Sequence, residues 1–456
     1  MNYFFCGIGG IGMSSVALWL AANGHRISGS DRGFDKGENT VLKTTLLKAG
    51  IQLCPQDGSG ITDATDCLVV SSAVEESIPD VQEALRRKIP IQKRSQMLAQ
   101  IFHSHPIRIA VGGTSGKTTI TAMIGHILHE TGKEPTVING GIMLNNYGGE
   151  ASNLLLGKGK ICVIEADESD GSIDLYRPTV AVVSNISLDH KPIEELLPLF
   201  RKFAERAETG AVLNADCPYT GRLRGKAPKT VTFSLTGRPA DFIGEKITPF
   251  NGGMTFQMNG IDGSLAVPGM HNVADALAAI GAVALTGIDP MAALKALASY
   301  KGTKRRLEKI GTVHKITVYD DYAHNPEKIA ASLSTVKAGS GRVFAIFQPH
   351  GFAPTRLMKD DLITAFVQHT DENDFLLFPE IFYQGGTVAK DISSADLVKA
   401  LKAQKRAAFF FPKRPDIIPF ITEHARPQDQ VLIMGARDSS LTDFAKEILT
   451  VLGGQK

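Results

Sequence analysis

The chain is poor in cysteine, and its cysteines do not form a pattern. Cys6, Cys54, Cys67, Cys162 and Cys217 are the only five in 456 residues, with no CxxC among them. An odd count without that spacing argues against a disulfide framework and suits a cytoplasmic location. Cys6 and Cys162 lie in apolar runs, as buried thiols do. Charge of one sign is also missing. A formal net charge of +2 gives no electrostatic case for nucleic acid or an anionic membrane, so phosphorylated ligands must be held locally. No apolar run approaches about 18 residues, which predicts no membrane insertion. The N-terminus lacks a basic segment, and glycines interrupt its apolar stretch, so it does not read as a signal peptide. Fixed-period repeats and low-complexity segments are absent. What remains is 43% hydrophobic and 21% charged residues, enough to bury a sizeable core, at a length that predicts about three domains.

The most informative stretch is RIAVGGTSGKTTI at 108–120. A short apolar strand, a glycine-rich turn and a helical pattern with Gly116-Lys117-Thr118 form the order of a phosphate-binding loop. The backbone N–H groups and helix N-terminus would hold phosphate oxygens, Lys117 would reach the outer phosphates and the Thr118 hydroxyl would ligate Mg²⁺. The usual first glycine of such a loop is replaced by Val111, and the glycines sit instead at Gly112 and Gly113. A glycine turn with an exposed lysine would leave a similar trace.

A first α/β unit precedes this loop. A strand at Asn2–Cys6 runs into Gly7-Ile8-Gly9-Gly10-Ile11-Gly12, a helical pattern follows, and a second strand ends at Ser30-Asp31. GxGxxG in a βαβ context with a downstream acid is a dinucleotide-type fingerprint, although a tight turn that packs closely and binds nothing reads the same way. The run at 67–72 is a strand ending in Ser71-Ser72, helices are predicted at 81–88 and 94–102, and HSHP at 103–106 marks the boundary. After the loop, a strand at 161–164 ends in Glu165 of EADESD, and one at 180–184 leads to Asn185 and His190. Ligands of open α/β sheets bind at carboxyl strand ends, which makes Glu165 and His190 candidate metal or phosphate groups. A solvated acid and a packing histidine are the plainer alternatives. Residues 209–268 are strand-rich, and a long Ala-rich helix follows Pro268-Gly269 with Asn272 near its start. Asparagine there caps a helix or reads an adenine edge. Beyond Lys304-Arg305-Arg306 a third α/β series carries Asp321, His324 and His350 at strand ends.

These motifs together resemble the Mur ligases, the ATP-dependent amide-forming enzymes of bacterial peptidoglycan synthesis. GIGGIGM with GSD, GTSGKTT, EADESD, NI…DH, GMHN, KRR, DDYAHNP and FQPH stand in the family order over essentially the whole chain. The resemblance implies three α/β domains. These are a Rossmann-like UDP-sugar-binding domain at 1–105, a P-loop ATPase-like central domain at 106–303, and a Rossmann-like C-terminal domain at 304–456. It implies that Gly7, Gly9, Gly10, Gly12, Ser30, Asp31, Ser71 and Ser72 contact the UDP moiety. Gly113, Thr114, Ser115, Gly116, Lys117, Thr118, Thr119, Asn272, Arg305 and Asp321 would bind ATP. Thr118, Glu165 and His190 would serve Mg²⁺ or Mn²⁺, with Lys117, Glu165, His190 and His324 catalytic, and His324, His350 and Arg356 would face the amino-acid substrate.

The implied reaction joins the carboxylate of UDP-N-acetylmuramate to an amino acid, most simply L-alanine, through an acyl phosphate, in a cytoplasmic monomer or homodimer. Some positions depart from the alanine-adding branch. Ser115 stands where that branch has His, and Asp275 where it has Asn. HGFAPTR at 350–356 replaces HRYTRTR, so Gly351 and Pro354 take the place of two arginines, and DYAHNP is closer to the diaminopimelate- or lysine-adding branch. A relative that adds a peptide or a different amino acid therefore stays open. So does a non-catalytic UDP-sugar binder. A nicotinamide dehydrogenase, suggested by GxGxxG alone, is opposed by the loop and EADESD.

Overall fold

The computed structural model describes residues 1–71, 74–147, 152–187, 191–250, 252–339, 341–383 and 388–454. Among them the strands form three sheets with helices between the strands, the three-domain α/β architecture expected. The chain divides into two compact units, one of Met1–Lys246, Phe256–Ser264 and Ala274–Lys301, the other of Ile247–Thr255, Leu265–Val273 and Gly302–Lys456.

The N-terminal sheet is parallel, in the order Gln52–Cys54, Arg26–Ser30, Asn2–Cys6, Cys67–Val70, Ile91–Lys93. Its central strand FFC is fully buried, because helices cover both faces of a parallel sheet. The helix Ile11–Ala22 starts directly on the glycine loop and buries Met13, Val16, Ala17 and Leu20. The helix expected at 94–102 is Arg94–His103, and that expected at 81–88 begins earlier, at Pro79, where the ring presets φ for a first turn.

In the second sheet Ile107–Gly112 lies between two parallel partners, Val180–Val183 and Ile161–Glu165. The register sets Val111 opposite Glu165 and Gly112 opposite Val183, so three polar strand ends finish at one level. The strand-rich reading of 209–268 corresponds to Gly210–Asn214, Thr230–Ser234, Phe242–Phe250, Gly253–Met258 and Ile261–Leu265. These two sheets share one hydrophobic cluster, in which Phe102 meets Tyr176 edge-on at 5.8 Å. Asn153 Nδ2 also donates to the Ile11 carbonyl at 2.6 Å. HSHP is thus a change of sheet, not a break in the core.

His126, on the helix Lys117–Glu130, is 0% exposed. Its Nδ1 accepts from the Tyr147 hydroxyl at 3.0 Å, and its Nε2 donates to the Ala296 carbonyl at 3.0 Å. A carbonyl can only accept, so Nε2 carries a proton. Burial pushes its pKa below 6.5. Asn145 adds a second tie, donating to the Ser299 carbonyl at 3.0 Å and accepting from the Lys301 N–H at 2.8 Å.

The C-terminal sheet runs Glu308–Val313, Ile316–Asp321, Gln430–Met434, Val343–Phe347, Phe375–Pro379, Ala407–Phe411, and only its first pair is antiparallel. Separate apolar clusters around Leu333 and Phe347 and around Ile433 and Phe444 cover its two faces. Among the described residues no helix is long and apolar enough to cross a membrane.

Phe102→Ala is expected to lower unfolding free energy by about 3–5 kcal/mol in urea titration, the range for deleting a buried ring. A loss under about 1 kcal/mol would mean the shared core does not depend on it. Because folded His126 resists protonation while the unfolded ring titrates near 6.5, stability falls as pH drops below about 6.5, by at most about 1.4 kcal/mol per pH unit from this group. His126→Gln should flatten that acid limb, as read from melting temperature against pH.

Candidate active site

The phosphate loop is shaped by two glycines with left-handed backbone. Gly113 has φ +125° and Gly116 +84°. Side chains would not fit there. A Cβ on Gly113 would lie 2.0 Å from Ser184 Oγ, and one on Gly116 would lie 2.6 Å from the Asp275 carboxylate. The neighbouring strand end braces the turn. Thr114 Oγ1 and the Ser115 N–H both donate to Asn185 Oδ1, at 3.0 and 2.9 Å, and Thr114 Oγ1 lies 2.7 Å from Ser187 Oγ. Ser184 Oγ donates to the Ser115 carbonyl at 2.5 Å. Asn185 and Ser184 were not singled out as site residues; their signal was their place at a strand end level with the loop. The Ser115 hydroxyl is buried and unpartnered among the described residues. Thr119 is buried on the first turn of the following helix.

Lys117 Nζ lies 2.7 Å from the Gly113 carbonyl and 2.8 Å from Glu168 Oε2. Thr118 Oγ1 donates to Glu165 Oε2 at 3.2 Å, and the Gly140 N–H donates to Glu165 Oε1 at 2.5 Å. A hydroxyl beside a carboxylate is a hard-oxygen donor set of the kind Mg²⁺ or Mn²⁺ takes. Burial pushes the nearby Asp167 carboxyl up, but Lys117 and the Ser169 amide and hydroxyl outweigh it and hold its pKa below the usual range.

A cleft of about 310 Å³ opens beside Glu165. The glycine loop contributes Gly7, Gly10 and Gly12, Ser71 and Arg94 come from the same sheet, and Asn139, Gly140, Glu165 and Asp167 come from the second. Arg94 packs so closely that a Cβ on Gly12 would meet it at 3.2 Å. Asn139 is 2% exposed, and neither amide atom has a partner among the described residues. Neither Arg94 nor Asn139 was picked out from sequence, since they sit outside the motifs.

The structure gives Ser30 and Asp31 supporting positions. The Ser30 hydroxyl is 0% exposed and donates to buried Asp80, so this side chain does not reach the cleft, while the Ser30 carbonyl accepts from the Gly7 and Ile8 N–H groups at 2.8 and 3.0 Å. Asp31 accepts from the Gly9 N–H at 2.9 Å and the Gly33 N–H at 2.8 Å, fixing the loop's shape. Ser72 and His190 lie outside the described residues.

The second unit gathers the remaining candidates. Asn272 Nδ2 donates to the Pro268 carbonyl at 2.6 Å. Arg305 is committed to Asp320 at 3.3 Å and to the Gly435 carbonyl at 2.5 Å, while its neighbour Arg306 lies over the Tyr322 ring at 4.9 Å. Asp321 accepts from Ser332, and burial pushes its carboxyl up. His324 and His350 meet with ring centroids 5.3 Å apart, and His324 Nδ1 donates to the Tyr322 carbonyl at 2.9 Å. Arg356 is exposed and ion-paired with Asp391. Gly351 has φ +74°, a backbone that an arginine would strain.

The fold and site define a three-domain α/β protein with a phosphate loop and a neighbouring strand-end carboxylate that lines a cleft against a glycine loop. Three family models match in order: Mur ligase family, catalytic domain, at 2–105; Mur ligase middle domain at 111–283; and Mur ligase, glutamate ligase domain, at 305–437. The chain is 35% identical to a UDP-N-acetylmuramate–L-alanine ligase of Cereibacter sphaeroides, covering 95% of this chain and 93% of that protein. It is also 35% identical to one of Anaeromyxobacter dehalogenans, covering 98% and 97%. Among solved structures it is similar to UDP-N-acetylmuramate-alanine ligase MurC of Thermotoga maritima, with TM-score 0.80 and 27% identity over 100% of both chains. A murein peptide ligase of Psychrobacter arcticus gives TM-score 0.71 and 25% identity over 100% of this chain and 99% of that one. The chain belongs to the Mur ligase family.

Gly113→Ala should destabilise the protein by more than about 2 kcal/mol, and Gly171→Ala by only about 1, as measured by chemical unfolding. Both glycines have positive φ, but a Cβ on Gly171 would meet nothing within 4 Å. Equal losses would mean that Ser184 yields and does not brace the loop.

Proposed function

We propose that the protein is an ATP-dependent carbon–nitrogen ligase of peptidoglycan precursor synthesis. It joins the carboxylate of a UDP-N-acetylmuramate-type substrate to an amino acid, most simply L-alanine, and releases ADP and phosphate. The observation that carries this reading is the strand register that ends the strand before the phosphate loop level with Glu165, so that Thr118 meets Glu165 at the edge of the glycine-loop cleft. An acyl donor seated in that cleft reaches the outer phosphate of a nucleotide on the phosphate loop. The full-length relatives named above support the same substrate pair.

A carboxylate is a poor electrophile at neutral pH. Transfer of the γ-phosphoryl group onto it makes an acyl phosphate, which the amine attacks, expelling phosphate. Two anions must approach for the first step, and the Lys117 ammonium offsets their charge. Thr118 and Glu165, with His190 as the third ligand expected from the sequence, would hold Mg²⁺ or Mn²⁺, which would supply further positive charge there. The N–H groups of the glycine loop and the N-terminus of Ile11–Ala22 face the UDP diphosphate, with Arg94 as the cation beside them. The Asn139 amide, which both donates and accepts, orients the acyl substrate.

Asn272, Arg305 and Asp321 bind ATP in this reading. His324 donates through Nδ1 to a carbonyl, which fixes its ring, and it is the candidate to take the proton from the attacking amine. His350 and Arg356 lie on the amino-acid side. The domains are 1–105, 106–303 and 304–456, in a monomer or homodimer, and a reaction that consumes ATP and a nucleotide sugar fits the cytoplasm.

A second reading has a peptide as acceptor. Gly351, whose backbone excludes an arginine without strain, and Pro354, in the helix Phe352–Leu357, favour it, because they remove two cations that would grip a free amino acid's carboxylate.

Phosphate release from ATP with UDP-N-acetylmuramate, assayed across L-alanine, other amino acids and a cell-wall tripeptide, distinguishes the two. Turnover with L-alanine is expected, and turnover with tripeptide alone would sink the alanine assignment. Lys117→Ala should cut release about 10²- to 10³-fold. Undiminished release would overturn the site.

A further inference from the structure

The ammonium of Lys117 is already occupied. Both carboxylate oxygens of Glu168 straddle it, Oε2 at 2.8 Å and Oε1 at 3.1 Å, and the Gly113 carbonyl takes a third contact at 2.7 Å. Glu168 is the more deeply buried partner, its side chain 3% exposed against 16% for Lys117. Its backbone is anchored as well, since the Glu168 carbonyl accepts from Lys191 Nζ at 2.9 Å. A carboxylate held in this way is no solvated surface acid. A buried anion needs a partner, and here the partner is the one cation the phosphate loop offers to an outer phosphate.

We infer that Glu168 is a positioning residue that stands in for the outer phosphate: it holds Lys117 when the loop is empty and must surrender it when a nucleoside triphosphate enters. Two anions cannot share one ammonium in a partly dehydrated site without repelling each other. Triphosphate binding therefore carries the cost of breaking the Lys117–Glu168 pair. The residue belongs to the turn after Ile161–Glu165, whose Glu165 and Asp167 line the cleft. Release of Glu168 frees that turn, so occupancy of the phosphate loop is felt at the acyl-substrate cleft. In the empty protein the pair also keeps Lys117 from adventitious anions.

This inference rests on reading the loop as the ATP site. The test is calorimetric titration of the full-length protein with Mg²⁺ and the non-hydrolysable analogue adenylyl imidodiphosphate, with AMP as control and no acyl substrate. Glu168→Gln keeps the shape and a hydrogen bond to Lys117 but removes the competing charge. It should bind the analogue about tenfold more tightly than the wild type, with AMP affinity unchanged, because AMP lacks the phosphates that Lys117 reaches. A merely structural role for Glu168 would weaken both ligands or neither. Equal or weaker binding of the analogue by a folded Glu168→Gln, judged by an unaltered melting temperature, overturns the inference. Should that variant not fold, Glu168→Asp retains the charge but is too short to straddle the ammonium. It should tighten analogue binding about threefold, and unchanged binding there is equally fatal. Failure of the wild type to bind the analogue at all would remove the ATP site itself, whereas binding without tightening removes only the role of Glu168.

Discussion

Everything at the candidate site depends on one constraint, the parallel pairing of Ile107–Gly112 with a strand on either side. Parallel pairing places the carboxyl ends of Ile107–Gly112, Ile161–Glu165 and Val180–Val183 at one level. The chain must leave each strand there, and each exit carries polar residues: the phosphate loop, the Glu165 turn, and Ser184 to Ser187. Their side chains then satisfy one another. Asn185 receives two donors from the loop, Ser184 fills the space beside Gly113, and Thr118 meets Glu165. The apolar bodies of these strands, 0% exposed along Ile109–Val111 and Val180–Val183, provide the rigidity that keeps those contacts in place.

Charge at this centre is balanced locally. With a net charge of +2 the chain has no broad field to draw in an anion, so single cations do the work. Lys117 and Arg94 are close to carboxylates or to backbone that limits their motion. In the second unit Arg305 is spent on Asp320 and on a carbonyl, and Arg306 lies over the Tyr322 ring. Neighbouring arginines in a sequence run look equivalent; a left-handed Arg305, at φ +56°, turns one inward.

Much of the fold was legible because its signals are local. Apolar strand runs bounded by glycine turns, and helical periodicity, need no distant partner to be recognised, although the helix expected from 81 begins at Pro79. The phosphate loop was equally plain, since Gly116-Lys117-Thr118 encodes its own backbone shape. Less of the surrounding site could be read. Asn139 and Arg94 belong to no motif, and their importance comes from being buried at, or packed onto, a cleft formed by two different sheets. Ser30 misleads in the opposite sense: it stands beside an acid at a strand end, as a ligand contact would, yet Asp80, far away in sequence, takes its hydroxyl inside the domain.

By itself, then, the sequence determined the class of fold, the order of the three domains and the family, because these follow from periodicity, turn chemistry and motif order along the chain. Only the tertiary structure decided which polar groups meet. It placed Glu168 on Lys117, gave Arg305 to Asp320, buried Ser30 and joined the first two sheets through Phe102 and Tyr176. The physical reason is that hydrogen bonds and ion pairs act over about 3 Å, a distance set by strand register and packing between segments that the linear sequence keeps far apart.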